Sequence, residues 1–128
     1  MPNTYPTLGL YTGKCNKLLA EKEIRFAGII NADGKLIAGG FKRNITPHEN
    51  DEARLQSFLE FVSKASIRKE HDQSLGPINY LAARRDKAVL VSFPFPITRV
   101  LLLVSAEPTV NIESLAEKVV ALFTSASQ

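Results

Sequence analysis

The sequence predicts an α+β fold in which helices cover both faces of one sheet, an α/β/α sandwich. Three observations carry that reading. Stretches with apolar residues at helical spacing alternate with short strand-like runs, in the order helix-strand-strand-helix-strand-strand-strand-helix. Val100–Val104 is apolar at every position, and a strand without alternation is one covered on both faces, central in its sheet. The run 26-FAGII-30 has the same character, so helices are expected on both sides.

The first helix places Leu8, Tyr11, Cys15, Leu18 and Leu19 on one face, weakened by Gly9 and Gly13. "IRFAGIIN" and "KLIAGGF" follow as two strands, and Asp33-Gly34 between them is a hairpin signal because glycine accepts the positive φ of a tight turn. Small residues crowd both strands: Ala27, Gly28, Ala38, Gly39 and Gly40. They keep the strands slim and let helices approach closely. The alternative is a pocket floor for a small ligand, which also needs convergent polar groups.

The second helix opens at 46-TPHE-49, where Thr46 caps, Pro47 suits the first position and Glu49 completes a capping box. Leu55, Phe58, Leu59, Val62 and Ala65 form its apolar face, widened by Phe61, and Gly76-Pro77 stops it. "INYLAARR", "KAVLVSF" and "RVLLLVSA" read as three strands, joined by a turn at Arg85-Asp86 and by the loop "PFPIT". Pro94 and Pro96 cannot donate ladder hydrogen bonds, so a strand ends where that loop starts. A last helix, capped by Asn111, aligns Ile112, Leu115, Ala116, Val119, Leu122 and Phe123.

Composition narrows the function. A chain of 128 residues without repeats or low-complexity linkers is expected to be one domain over residues 1–128. The net charge of +3 invites a nucleic-acid reading. Residues 1–64 carry 9 basic and 7 acidic side chains and residues 65–128 carry 7 and 6, so there is no basic tail and nucleic acid is not the expected partner. A single cysteine allows neither an internal disulfide nor a cysteine-rich zinc site. The start "MPNTYPTLGL" lacks the pattern of a signal peptide, and 97-ITRVLLLVSA-106 is too short to span a bilayer and contains Arg99. The expectation is a cytoplasmic protein without membrane insertion.

No set of residues has catalytic spacing. The segment 9-GLYTGKC-15 resembles a phosphate loop, but three residues rather than four separate the glycines, Cys15 replaces the hydroxyl and no strand precedes it. His48 in "HENDE" has no second histidine at metal-binding spacing, and His71 lies in a charged helix end. G-x-S-x-G is absent. The expectation is a non-enzyme with no catalytic residues, no cofactor and no metal. Cys15, on the apolar helix face, reads as buried and inert; Lys14 and Lys17 would activate it only if the helix turned outward. Two surface candidates remain. Arg84, Arg85 and Lys87 cluster at a strand turn, either as a solvated tip or as a docking site for an acidic partner. Phe93, Phe95 and Ile97 either fold under the sheet or form an apolar contact patch.

The order of elements, with "FAGIINADGKLIAGG" and "RVLLLVSAEPTVNIESLAEKVVALF", resembles the roadblock (dynein light chain) family, which has a profilin-like fold. In finer detail "IRFAGIIN", "GPINYLAARRDK" and "LLLVSAEP" are similar to uncharacterised archaeal roadblock-like proteins. The resemblance implies a five-stranded antiparallel sheet and a non-enzymatic dimerising scaffold, often a platform for small Ras-like GTPases. It implies pairing, with a second copy or a related chain, through the long helix and the strand after it. In this chain those residues are Leu55, Phe58, Leu59 and Val62, with Ile78, Asn79, Tyr80, Leu81 and Ala82. The "HDQSL" segment and the tight "RRDK" turn depart from the family pattern where a GTPase would be contacted. A small-molecule sensor on the same sheet is the alternative function, with Gly28 and Gly39 as its pocket floor.

Overall fold

The structure, a computed structural model, describes residues 8–31, 33–44, 57, 60, 72–76, 78–94 and 100–124. Helix α1 spans Leu8–Leu19 and turns Tyr11, Cys15 and Leu18 inward, a row at i, i+4 and i+7. Strand β1 is Ile24–Asn31 and β2 is Leu36–Phe41. Asn31 organises the turn between them. Its Oδ1 accepts hydrogen bonds from the backbone N–H groups of Asp33 at 2.9 Å and Lys35 at 3.0 Å, an Asx turn. Gly34 takes φ 83°. A Cβ there would also meet the main chain of Glu60 at 2.8 Å, so this position requires glycine on two counts.

The expected second helix is described only at Ser57 and Glu60, both helical. Its capping box at Thr46–Glu49 and its apolar face at Leu55, Phe58, Leu59 and Val62 lie outside the described residues, as do Phe95 and Ile97. A short helix α2, Asp72–Leu75, then ends at Gly76 with φ 82°, the left-handed conformation that follows many helix ends. Strands β3 (Leu81–Arg84), β4 (Val89–Phe93) and β5 (Val100–Ala106) lead to helix α3, Ile112–Thr124. Asn111 caps α3: its Oδ1 accepts the Ser114 N–H at 2.9 Å.

The five strands pair antiparallel in the order β2-β1-β5-β4-β3. One face carries Ala27, Ile29, Val91, Phe93, Leu102 and Val104, buried together with Tyr11 and Cys15 of α1 and with Leu115, Val119 and Phe123 of α3. The other carries Phe26, Ile30, Leu101 and Leu103 in a separate buried cluster. β5 is thus buried on both faces, as its unbroken apolar run requires.

One expected strand is shorter than its sequence run. Of "INYLAARR" only Leu81–Arg84 joins the ladder, and Ile78, Asn79 and Tyr80 precede it. The register pairs Leu81 with Ser92, so Asn79 falls opposite Pro94. Proline has no N–H to offer there, and the ladder stops. Among the described residues, no helix is long and apolar enough to cross a membrane.

Candidate functional site

The candidate surface is the β3 edge of the sheet. All four β3 residues are exposed. Its direction of hydrogen bonding follows from the turn: the Arg85 N–H donates to the Ala88 carbonyl at 2.9 Å. Hydrogen-bonded pairs alternate along an antiparallel ladder. Leu81 and Ala83 therefore turn their backbone groups toward β4, whereas Ala82 and Arg84 present theirs to the open edge.

Two side chains fasten this short strand to the layer beside it. The Arg84 guanidinium donates from Nη1 to the Pro108 carbonyl and from Nη2 to the Val110 carbonyl, the latter at 3.1 Å. Both acceptors lie in the segment between β5 and α3. The Tyr80 hydroxyl donates to the Glu113 carboxylate in the first turn of α3, and its ring packs 5.9 Å from that of Phe93. That hydrogen bond, then partial burial and the charge of Glu113, raise the Tyr80 phenol above its usual 10.0.

Three of the expected docking residues therefore divide. Arg84 is engaged inside its own chain, while Arg85 and Lys87 stand exposed in the turn. Of the expected interface residues, Ala82 is on the edge, Tyr80 turns toward α3, and Ile78 is half-buried ahead of the strand. Leu81, 41% exposed, adds apolar surface on this edge, and Leu75, in α2, is 80% exposed. The exposure of Leu75 follows from no pattern in the sequence.

The opposite edge, β2, is built differently. Gly39 has φ 81°, and a Cβ there would meet the Ala27 carbonyl oxygen at 2.1 Å and the Cys15 Sγ at 3.0 Å. Pairing with β1 also slips between Ile29 and Ile30. Past the strand, Lys42 Nζ donates to the Glu21 carbonyl at 2.7 Å and to the Lys22 carbonyl at 3.2 Å.

The small residues serve close packing, as expected, and among the described residues the alternative of a pocket floored by Gly28 and Gly39 is not seen. The space over Gly28 is filled by Leu36 and Phe26, and over Gly39 by its neighbours and Cys15; side-chain packing occupies the room that small residues leave. A cleft of about 560 Å³ does open elsewhere, between the α1–β1 loop and the start of α3. Its polar groups already pair with one another: Lys118 with Glu21 at 2.7 Å, and the Thr109 hydroxyl with Glu23 at 2.5 Å. Beside them Arg25 bridges Glu107 at 3.1 Å.

The segment 9-GLYTGKC-15 lies wholly within α1 and is not a loop. Lys14 is only 3% exposed, with Nζ 5.8 Å from the centroid of the Phe123 ring, a contact favoured by the ring's negative face. Cys15 is fully buried, and burial pushes its thiol up to about 12, which keeps it protonated and unreactive. Among the described residues no cluster of His, Cys, Asp and Glu could hold a metal ion.

The architecture is that of known roadblock domains. The chain is similar to a roadblock/LC7 domain from Streptomyces avermitilis, with 13% identity, 88% of this chain and 90% of that chain covered, and a TM-score of 0.63. It is similar to MglB of Myxococcus xanthus, with 13% identity, 100% and 98% covered, and a TM-score of 0.61. A structure described as MglB with a tetrameric arrangement shares 11% identity over 97% of this chain and 88% of that chain, with a TM-score of 0.71. At such identities the likeness establishes a roadblock-type fold. No curated protein sequence matches the chain. A family model described as "Family of unknown function (DUF6659)" matches residues 3–125, and the chain belongs to that family.

Proposed function

We propose that this chain is a non-enzymatic dimerising scaffold or regulatory protein of the roadblock type, forming a single domain over residues 1–128. It works in the cytoplasm without a cofactor. It pairs with a second copy, or with a related roadblock-like chain, and the pair serves as a platform for a small Ras-like GTPase. The carrying observation is the β3 edge: unbroken in register, exposed and held in place by Arg84 and Tyr80, with the backbone groups of Ala82 and Arg84 directed outward. Such an edge is a template for another strand. Leu55, Phe58, Leu59 and Val62 of the long helix complete the interface with Ile78, Tyr80 and Ala82. Arg85 and Lys87 face the partner protein; Arg84 supports them from within.

The test is the solution mass by light scattering across a range of concentrations, for the wild type and two proline variants. Ala82→Pro removes an outward N–H and leaves the ladder to β4 intact. It should weaken the dimer by about tenfold or more, since two-fold pairing loses the donor on both copies. Ala83→Pro removes an inward donor and should instead cost about 2 kcal/mol of fold stability. A wild type that stays monomeric at every concentration sinks the homodimer. A dimer indifferent to Ala82→Pro places the interface elsewhere.

A further inference from the structure

The two halves of the sequence carry nearly even charge, but the fold gathers the positive excess at one end of the sheet. The ladders align Ile24 of β1 with Ala106 of β5, Ala106 with Val89 of β4, and Val89 with Arg84 of β3, while Phe41 of β2 meets Phe26. The loops beyond these residues therefore lie along one rim. Residues 21–25, 42–44, 84–87 and 107 of that rim hold seven basic and four acidic side chains, a net of +3 that equals the formal charge of the whole chain. We propose that this rim docks on the surface of an anionic lipid membrane, held by charge at the headgroups and without insertion. The inference does not depend on self-association.

Acids and bases are placed differently along the rim. Its glutamates are taken up within the chain: Glu21 by Lys118 at 2.7 Å, Glu23 by the Thr109 hydroxyl at 2.5 Å and Glu107 by Arg25 at 3.1 Å. Lys22, Arg43, Arg85 and Lys87 are exposed and make no hydrogen bond or ion pair through their side chains among the described residues. Of the acids, Asp86 alone stands in the same condition. Lys42 Nζ bonds the carbonyls of Glu21 and Lys22, which holds Arg43 beside that loop at the β2–β1 side. Arg85 and Lys87 stand at the β4–β3 side. Strands about 4.8 Å apart set the two outer ones about 19 Å from each other, so free positive charge runs the width of the sheet.

Such a row suits a surface of many mobile anionic headgroups, each drawn to the nearest cation. A protein interface instead needs an apolar core from which lysine is kept away. Among the described residues the rim has one large exposed apolar side chain, Phe41, 39% exposed and next to Lys42 in the chain. A single aromatic ring at the border of a basic surface fits the headgroup level of a bilayer. Arg85 and Lys87 belong also to the surface offered above to a partner protein, so lipid and that partner compete for them.

Sedimentation with vesicles tests the proposal. The probe is phosphatidylcholine carrying about 30% phosphatidylserine, beside pure phosphatidylcholine, at salt from about 0.05 to 0.5 M. The wild type should bind the anionic vesicles at low salt, leave the neutral ones, and be released as salt rises. Lys22→Gln, Arg43→Gln, Arg85→Gln and Lys87→Gln should each weaken binding about fivefold, and the four together should abolish it. Lys35→Gln removes the same charge at the opposite end of the sheet, between β1 and β2, and should bind like the wild type. Circular dichroism accompanies each variant, and the single substitutions keep the test decisive if the fourfold variant does not fold.

No binding at low salt, or equal binding to neutral vesicles, overturns the proposal. Rim substitutions without effect, or a loss with Lys35→Gln as large as with Arg43→Gln, overturn it as well. A DNA duplex or polyglutamate that holds the protein at a salt concentration where the vesicles release it overturns the lipid assignment, in favour of a nucleic acid or an acidic protein surface.

Discussion

β2 and β3 close the same sheet at its two ends, but of the two only β2 is irregular. At β2, Gly39 enters the left-handed region with no room for a Cβ, and the register against β1 slips nearby. Such irregularity bends an edge strand and spoils it as a template. At β3 the register runs without a break from Leu81 to Arg84, and the side chains of Arg84 and of Tyr80 just before it tie the strand to the layer beside it. Exposed edges are thus not equivalent. What separates them is whether the backbone is extended, regular and fixed.

The contrast is broken most forcefully at Gly39. Gly39→Ala should destabilise the fold by about 3 kcal/mol, combining left-handed strain with the clash against the Ala27 carbonyl. Urea unfolding measures this. A loss below about 1 kcal/mol would mean that β2 can straighten, and the distinction between the edges would fall.

Arg84 is the corresponding fastening at β3. Arg84→Ala should cost about 1 kcal/mol in the same assay and also weaken self-association, because the strand loses its hold on the β5–α3 segment. Arg84→Lys should recover only part of either effect, since lysine cannot present a planar fork to two carbonyls. Equal behaviour of the two variants would show that charge alone matters.

The smallest effect concerns Cys15, which lies beneath the β2 kink. Its unfolded thiol ionises near 9.0, whereas the folded one holds its proton to about 12. Between those values the unfolded state binds fewer protons, so stability must fall as pH rises. Below about pH 9 this group contributes no slope. Unfolding free energy measured from pH 8 upward should decline less steeply in Cys15→Ala than in the wild type. Parallel curves would show that the thiol does not titrate in this way.

Much of the fold is legible in the residues. "IRFAGIIN" is β1 to the residue, and Val100–Val104 lies in the doubly covered β5 that its unbroken apolar character predicts. Asn111 caps the helix it was expected to cap. The misses have local causes. The run "INYLAARR" looks like eight strand residues, yet the ladder ends where its partner becomes Pro94; that limit depends on register, which no single segment carries. Asp33-Gly34 marks the turn, but the group that organises it is the Asn31 side chain.

The candidate site was legible only in outline. "RRDK" stands out as a charge cluster, but the separate fates of Arg84 and Arg85 depend on carbonyls 24 and 26 residues away in the chain. Likewise the burial of Lys14 against Phe123 of α3 is set by how the two helices meet. These contacts come from tertiary placement and leave no periodic trace.

The kink at Gly39 has a further consequence for how large an assembly can grow. A subunit with two serviceable edges could add copies at either end without limit, as a fibre does. With one edge spoiled, joining two copies through β3 would use up the regular edge and leave the irregular β2 at each outer margin. If copies join through β3 as proposed, assembly by this route would stop at two.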